Sequence, residues 1–419
     1  MKTLLRGKVG AVVALAVGLT AGSAEVDFRT DINPGLLYFQ AYQNMPQLSE
    51  EDTKHLFDYP GAWPELIDER AKGLLKQYDN SFKGLRRARH SKVACDWGYD
   101  LSDGAEALLP GLAPAKRLTQ AARLRAMAAL DANDFAAAKD DMISAFALGR
   151  NLSRDGILIS AIVQIAVENI LTSVVMENYY RLSAEQLAEL VAAFDGAPAR
   201  GTIAQTMPTE SHAFYQYLAR KVNKLLAESN GDTALFWEKF AAFWNPIATE
   251  AEGNKGPEPS AAELQTAANG RTDELMRLLD EMPTYYEETG RIMALTYAEY
   301  KVQAPVLFAR IESSPNPFIR QFFRVFTNVR PKEFAAMLRM EMVRAAAAYK
   351  SGGKAALDAV RDPLAGGPFE FSRVQFEGVD RGFRLKSKER IRDFDEVMIF
   401  LEKPGKPFRL DGKNAGSAR

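Results

Sequence analysis

Apolar residues recur at helical spacing between residues 117 and 151. Helix formers occupy residues 117–130, a short polar turn occupies residues 131–134, and a second helix is predicted over residues 135–151. The apolar positions form one seam, made of Leu130, Phe135, Ala138, Met142, Ala145 and Phe146. Two helices joined by so short a turn predict an antiparallel hairpin.

The segment after this hairpin, residues 155–183, is apolar almost all round its middle. A helix with this composition is expected to be central and buried. Four polar residues recur in it at every fourth position and form one ridge: Ser160, Gln164, Glu168 and Thr172. Hydrogen bonds between buried helices are the favoured interpretation of this ridge.

The alternative is that the ridge lines a groove, which makes Gln164 and Glu168 candidate binding residues. If Glu168 is buried instead, its carboxylate needs a basic partner such as Arg150 or Arg154.

Capping and stop signals place further helices along the chain. The first ends before Pro46, the next begins at Ser49, and another begins after Ser183. Residues 195–210 are predicted to be a loop. Helices are predicted over residues 210–228, 261–282, 285–302 and 332–349.

Helical spacing gives way to alternation of apolar and polar residues near the C-terminus. Phe369 and Phe371 share one face, Phe383 and Leu385 share another across an EGVD turn, and residues 396–403 read as a further strand. These segments predict a small antiparallel sheet of three or four strands.

Together these patterns predict a mainly α protein, an irregular solenoid-like array of helical hairpins with a small C-terminal antiparallel β-sheet. The expected organisation is a signal peptide (1–24), a helical hairpin domain (25–248), a flexible linker (249–263), continuing helices (264–352), a β appendage (353–410) and a disordered tail (411–419).

The N-terminus has the features of a secretory signal peptide. Lys2, Arg6 and Lys8 precede a short apolar run over residues 9–19, and small residues end at Ala24. The run is too short to span a bilayer of roughly 30 Å, so no integral membrane segment is expected after cleavage. Since no cysteine follows the run, a lipoprotein anchor is not expected either. A periplasmic or secreted protein of a bacterium is predicted.

Composition narrows the classes of partner. Removal of the signal peptide takes the formal net charge from −1 to −4, so no basic excess favours nucleic acid. Hydrophobic residues make up 47% of the chain, enough for a large core. The single cysteine, Cys95, excludes an internal disulfide and is either a free thiol or part of an intermolecular bridge.

The stretch CDWGYDLSDG, residues 95–104, raises three alternatives: a reactive thiol, a calcium loop or a structural turn. The carboxylate of Asp96 opposes formation of a thiolate at Cys95. Gly98 interrupts the alternation of oxygen ligands that a calcium loop requires. The favoured interpretation packs Cys95 and Trp97 inside, with Asp103 and Gly104 opening a helix near residue 105.

Other chemistries have weak support. The three histidines include His212 within an ESH triplet, but no HExxH motif is present, so no metal site and no cofactor are assigned. A GxSxG nucleophile elbow and phosphate-binding loops are also missing from the sequence. Paired carboxylates for glycoside chemistry stay open, because their separation depends on the fold. No catalytic residue is assigned, and the balance lies against an enzyme.

Two aromatic clusters have helical spacing, residues 38–42 and 236–244. Core packing is the favoured interpretation, and the alternative is a surface that stacks on sugars or a partner protein. On that alternative, Trp237 and Trp244 are candidate binding residues because they lie just before the predicted linker.

Two stretches show resemblances. Residues 132–156 resemble the helix pairs of tetratricopeptide-like solenoids in their small-residue pattern and turn. Residues 348–388 resemble the closing segment of uncharacterised secreted bacterial proteins, as residues 95–112 also do. The tail pattern comprises Asp362, Pro363, Gly367, Pro368, Gly382 and Phe383. Pseudopilins of secretion systems end in a similar way, but this chain lacks their apolar N-terminal helix with its processing site.

The resemblances imply an α-rich exported protein and carry no known activity. We therefore expect a non-catalytic binding or scaffold module of the bacterial cell envelope, with an envelope protein or a glycan as partner. One alternative is a hydrolase with an acidic site in a helical cleft, drawing on Glu168 and residues 96–103. A second is an accessory of a secretion or pilus-like assembly.

Overall fold

The computed structural model describes residues 29–57, 67–104, 107–250, 260–376, 378–392 and 396–404. The predicted signal peptide, residues 1–24, and the predicted tail, residues 411–419, lie outside these ranges. So do residues 251–259 of the predicted linker. The predicted mainly α fold with a small antiparallel sheet is confirmed.

Four helices open the described chain: α1 (Pro34–Gln43), α2 (Glu50–Phe57), α3 (Glu69–Lys76) and α4 (Asp79–Arg89). Asn33 caps α1 by accepting a hydrogen bond from the backbone N–H of Gly35, and a proline at the first helical position pre-sets the backbone. Ser49 caps α2 in the same way through the N–H of Asp52. The predicted end of the first helix before Pro46 and the predicted start of the next at Ser49 are confirmed.

The predicted hairpin consists of α5 (Leu112–Asp131) and α6 (Phe135–Leu152). Asn133 takes a left-handed conformation in the turn, and the Asp134 side chain accepts a hydrogen bond from the N–H of Ala137 at 3.0 Å. The turn thus ends one helix and caps the next within three residues. Most of the predicted seam is fully buried.

Helix α7 (Leu158–Glu177) is central, as its composition predicts. It packs against α5 and α6 and against elements much later in the chain. Gly149 of α6 permits a close approach, because a Cβ atom there would lie 2.6 Å from a methyl group of Val167. Helix α7 therefore joins distant parts of the chain in one core.

The next helices are α8 (Ala184–Asp195), α9 (Ile203–Glu210), α10 (Gln216–Glu228) and α11 (Thr233–Glu250), with a π-helical turn, Ser211–Tyr215, between α9 and α10. The prediction of a loop up to residue 210 is wrong for residues 203–210. Thr202 and Gln205 form a capping box that starts α9 despite Pro208. Pro208 lacks an N–H, and the turn that follows is widened to π geometry.

Six helices follow: α12 (Ala261–Ala267), α13 (Thr272–Asp280), α14 (Met282–Met293), α15 (Tyr297–Glu312), α16 (Pro317–Phe323) and α17 (Phe326–Ala359). The predicted helix over 261–282 is broken by Asn269 and Gly270, both at positive φ. The predicted helix over 285–302 is divided at Thr296, which caps α15. The predicted boundary at residue 353 falls on a break inside α17, where Gly353 has φ of 64°.

The predicted sheet has three antiparallel strands in the order β1 (Glu370–Phe376), β2 (Val379–Lys386) and β3 (Val397–Leu401). Phe383 is central: it lies opposite Phe400 and stacks on it at 5.3 Å. The same ring contacts Tyr179, beyond the end of α7, and Tyr349 of α17. The sheet is therefore part of the helical core, which the buried apolar residues of the described ranges form as one cluster.

Candidate functional site

The four residues of the polar ridge on α7 are all buried. The Ser160 hydroxyl donates to Asp155 at 2.6 Å. The Gln164 amide accepts from the N–H of Gly201 at 3.0 Å and donates to the carbonyl of the same residue at 3.1 Å. Thr172 donates to the Glu168 carbonyl at 2.9 Å. The ridge is an internal row of hydrogen bonds.

Glu168 lies between two guanidinium groups. Its carboxylate is 2.7 Å from Nε of Arg150 and 2.7 Å from Nη2 of Arg200. Burial raises the pKa of Glu168, and the two arginines oppose that shift. Arg150 was an expected partner. Arg200 was not, because it comes from the connection between α8 and α9. The binding role considered for Gln164 and Glu168 stays a prediction, and both side chains already have partners within the chain.

Trp237 and Trp244 are buried on α11. The Trp237 indole donates to the carbonyl of Gly270 at 2.9 Å. Trp244 stacks on Phe240 at 5.9 Å and meets Phe318 edge-on at 5.5 Å. Both rings pack in the core, so stacking on a ligand would require the helix to move. Their binding role stays a prediction.

Residues 95–104 form the turn that the sequence favours. Asn33 holds Asp96 by accepting from its N–H at 3.1 Å and donating to its carbonyl at 2.8 Å. The carboxylates of Asp96 and Asp100 accept from the N–H groups two residues further on, at 2.9 Å each. These are Asx turns, so the acids organise backbone. The prediction of a helix beginning near residue 105 is wrong for the residues that follow, because residues 107–111 are not helical and the next helix, α5, begins at Leu112.

Trp97 anchors this segment. It stacks against Tyr38, Tyr42 and Tyr99, with ring centroids 5.5, 6.3 and 5.9 Å away, and its indole donates to the carbonyl of Asn151 at 2.8 Å. Cys95 beside it is half-buried, and burial together with Asp96 raises the pKa of the thiol to about 12. The thiol is therefore protonated at neutral pH, which is a poor state for a nucleophile.

A pair of carboxyl groups lies at the N-terminus of α7. Asp155 accepts from the N–H of Ile157 at 2.9 Å, and Glu210 accepts from the N–H of Leu158 at 2.7 Å. Burial raises the pKa of Asp155 to about 6 and that of Glu210 to about 7, and the charge of Asp155 adds to the second shift. Groups that titrate near neutral pH can exchange protons with a substrate.

The sequence did not indicate this pair, because its members are 55 residues apart and only the fold brings them to one helix end. His212, two residues after Glu210, lies in the π-helical turn. Among the described residues, no group of three His, Cys, Asp or Glu side chains could hold a metal ion.

The outer face of α15 is a different kind of surface. It consists of five exposed residues: Ala298, Val302, Pro305, Val306 and Ala309. Val302 and Val306 are each 71% exposed. Their spacing places them on one side of the helix over about three turns.

The inner face of α15 is firmly packed. Five of its residues are buried: Tyr297, Tyr300, Ala304, Leu307 and Ile311. Lys301 pairs with Glu389 at 2.8 Å, and the Tyr297 hydroxyl donates to the carbonyl of Arg390. The outer face is thus presented by a fixed helix. The sequence prediction missed it because the helix predicted over 285–302 ended in the middle of this face.

Of the helices within the described ranges, α7 is long and apolar enough to cross a membrane. In its most apolar window 61% of the residues are buried inside the protein, which is typical of a core helix. No protein-family model matches the chain, no curated protein is similar to it, and no solved structure matches its fold.

Proposed function

We propose that this chain is an exported, non-catalytic binding or scaffold module of the bacterial cell envelope, and that the outer face of α15 is its docking surface. The observation that carries the proposal is the exposure of Val302 and Val306, 71% each, in line with three further exposed apolar residues. A contiguous exposed apolar face marks a site for a macromolecular partner more often than isolated apolar residues do.

The rigidity of α15 supports this role. Because the inner face of the helix is packed and its ends are held by ion pairs to Glu389 and Glu288, a partner would not have to order the helix on binding. A preorganised surface loses less conformational entropy when it associates.

Export is supported by the signal-peptide pattern of residues 1–24. The test is to express the full chain and determine the N-terminus and compartment of the product. Export predicts a mature chain that begins near Glu25 and is found in the periplasm or the medium. An unprocessed chain confined to the cytoplasm would contradict it.

The docking surface is tested by placing a photoactivatable amino acid at position 302 or 306 in the producing cell. A matched control places it at Lys224, an exposed position on α10. The proposal predicts adducts to a macromolecule from positions 302 and 306 but not from 224, and their loss when the neighbouring valine is changed to lysine. The absence of adducts at 302 and 306, or equal adducts at 224, would refute it.

A hydrolase remains the second candidate, favoured by the Asp155–Glu210 pair rather than by Glu168. Glu210, with a pKa of about 7, would act as the acid and Asp155, with a pKa of about 6, as the base. The test is hydrolysis of ester, glycosidic and peptide substrates by the mature protein. Activity that disappears in both Asp155→Asn and Glu210→Gln, with folding retained, would establish the enzyme. Activity unchanged in both variants would eliminate this assignment.

The assembly-accessory alternative would need a usable sheet edge in the last 60 residues. Strand β1 lies at the edge of the described sheet, but its register shifts between Val374 and Gln375. Arg373 on the same strand pairs with Asp380 and Glu402. Irregular, charged edges resist pairing with another strand. These features favour α15 over β1 as the docking surface.

A further inference from the structure

We propose that Asn230, in the turn between α10 and α11, is a site of spontaneous deamidation, and that the fold protects the matched residue Asn269 from the same reaction. In this chain, these two asparagines are followed directly by glycine, Gly231 and Gly270. The inference does not depend on the docking surface of α15, because it concerns a covalent change in the chain itself.

The reaction uses the backbone nitrogen that follows the asparagine. This nitrogen gives its proton to a hydroxide ion and forms a bond to Cγ of the asparagine side chain, while the side-chain amide takes a proton from water and leaves as ammonia. Water then opens the five-membered imide, so that a neutral amide ends as a carboxylate in an aspartyl or isoaspartyl linkage. Glycine favours the attack because it has no side chain to hinder the approach of its nitrogen.

The two sites have similar backbone conformations. Each asparagine is exposed and lies just beyond the C-terminus of a helix, with φ of 46° at Asn230 and 52° at Asn269. The glycine that follows also has positive φ, 84° at Gly231 and 69° at Gly270. Sequence and local conformation therefore predict similar reactivity at the two sites.

The hydrogen bonds of the two glycines differ. The N–H of Gly270 donates to the carbonyl of Gln265 at 2.8 Å, and the carbonyl of Gly270 accepts from the indole of Trp237 at 2.9 Å. Within the described ranges, the N–H of Gly231 has no acceptor. A backbone N–H that is held as a donor exchanges its proton with solvent only when that hydrogen bond opens. The attacking nitrogen is therefore blocked at Gly270 and available at Gly231.

Solvent has free access to the turn between α10 and α11. Asn230, Gly231 and Asp232 are all exposed. A Cβ atom at Gly231 would meet no heavy atom within 4 Å beyond its chain neighbours. Hydroxide can therefore reach the nitrogen, and water can reach the imide that forms.

Deamidation would change both the charge and the length of this turn. The new carboxylate would lie near Glu228, which pairs with Lys239 at 3.6 Å, and near Asp232, which caps α11 through the N–H of Leu235 at 3.1 Å. The isoaspartyl form also adds one carbon to the backbone, beside the 2.8 Å hydrogen bond from the N–H of Asp232 to the carbonyl of Ser229. The reaction therefore alters the connection that leads into α11.

The test is to incubate the purified chain at mildly alkaline pH and to measure deamidation of each site by mass spectrometry of its peptides. We expect Asn230 to react at least about tenfold faster than Asn269 in the native protein, because the N–H of Gly270 is protected. Equal native rates at the two sites, or a faster reaction at Asn269, would overturn the inference.

The matched control is the same measurement on the chain unfolded in guanidinium chloride. The hydrogen bond of Gly270 is lost there, so the rates at Asn230 and Asn269 should agree within about twofold. If the native protein shows no reaction at Asn230 over a period in which the unfolded chain reacts, the inference also fails.

The variant Gly231→Ala tests which nitrogen attacks. The added methyl group hinders that nitrogen, so the rate at Asn230 should fall at least about fivefold while the rate at Asn269 stays unchanged. Circular dichroism checks that the variant folds, because alanine is strained at positive φ although the methyl group would enter open space. An unchanged rate at Asn230 in the folded variant would contradict attack by the nitrogen of residue 231.

Discussion

Replacing Trp97 by phenylalanine tests how the 95–104 segment is held in the core. The indole N–H is the donor to the carbonyl of Asn151 at 2.8 Å, and Trp97 is buried among tyrosine rings. Phenylalanine keeps an aromatic ring in place but removes the donor and part of the ring volume. The variant therefore tests the indole hydrogen bond and the full volume of the ring, while an aromatic side chain is kept at the position.

The expected loss follows from two contributions. A buried carbonyl left without its donor costs about 1–3 kcal/mol. The smaller ring leaves a cavity of roughly 40 Å³, which costs about 1 kcal/mol. The free energy of unfolding should therefore fall by about 2–4 kcal/mol, less than the roughly 5–15 kcal/mol total of a typical domain, so the variant should still fold.

The assay is urea denaturation at pH 7 followed by far-UV circular dichroism. Leu108→Ala is the control, because Leu108 is 84% exposed, and its unfolding free energy should stay within about 0.5 kcal/mol of the parent value. An equally small change for Trp97→Phe would refute the reasoning, since it would mean that the ring and its hydrogen bond do not hold the segment.

The remaining predictions concern buried polar groups. The pKa of Glu210 is about 7 in the folded protein and therefore exceeds its value in the unfolded chain. Because the folded state then binds more protons than the unfolded state, the free energy of unfolding should fall as the pH rises from about 4 to about 7. Glu210→Gln should flatten that dependence in urea titrations at several pH values, and an unchanged slope would contradict the assignment. Glu168→Ala should lower the free energy of unfolding by about 2–4 kcal/mol, because it leaves two buried guanidinium groups without their carboxylate. The control Glu189→Ala removes a surface ion pair and should lower it by less than about 1 kcal/mol. Equal losses in the same denaturation assay would argue against a buried ion pair. Iodoacetamide should alkylate Cys95 at least tenfold more slowly in the native protein than in the urea-unfolded protein, as measured by mass spectrometry. Equal rates would contradict a half-buried thiol with a pKa of about 12.

Local elements with strong signals were predictable. The α5–α6 hairpin followed from helical spacing and from the turn at residues 131–134, since Asp134 caps α6 within the turn itself. The strands followed from alternation, because side chains of a strand point to opposite faces. In such segments the chemistry that starts or ends an element lies within a few residues of it.

Helix breaks were less predictable. The sequence of residues 195–210 contains two prolines and two glycines and predicted a loop, yet Thr202 and Gln205 start a helix that tolerates Pro208. Asn269 and Gly270 divided a predicted continuous helix because both adopt positive φ. Propensity alone cannot decide such positions, since packing of neighbouring helices determines whether a break or a continuation is more stable.

The sequence by itself determined the fold class and the polar ridge of α7, because both follow from the periodicity of apolar and polar residues. It also determined that Glu168 needs a basic partner, because burying an unpaired charge is costly at any position of a helix. Only the tertiary structure decided that Arg200 completes that ion pair and that Asp155 and Glu210 share one helix end. It alone decided that Val302 and Val306 face outward. These properties depend on which distant segments meet, and burial, pKa and exposure are set by those neighbours rather than by the residues alone.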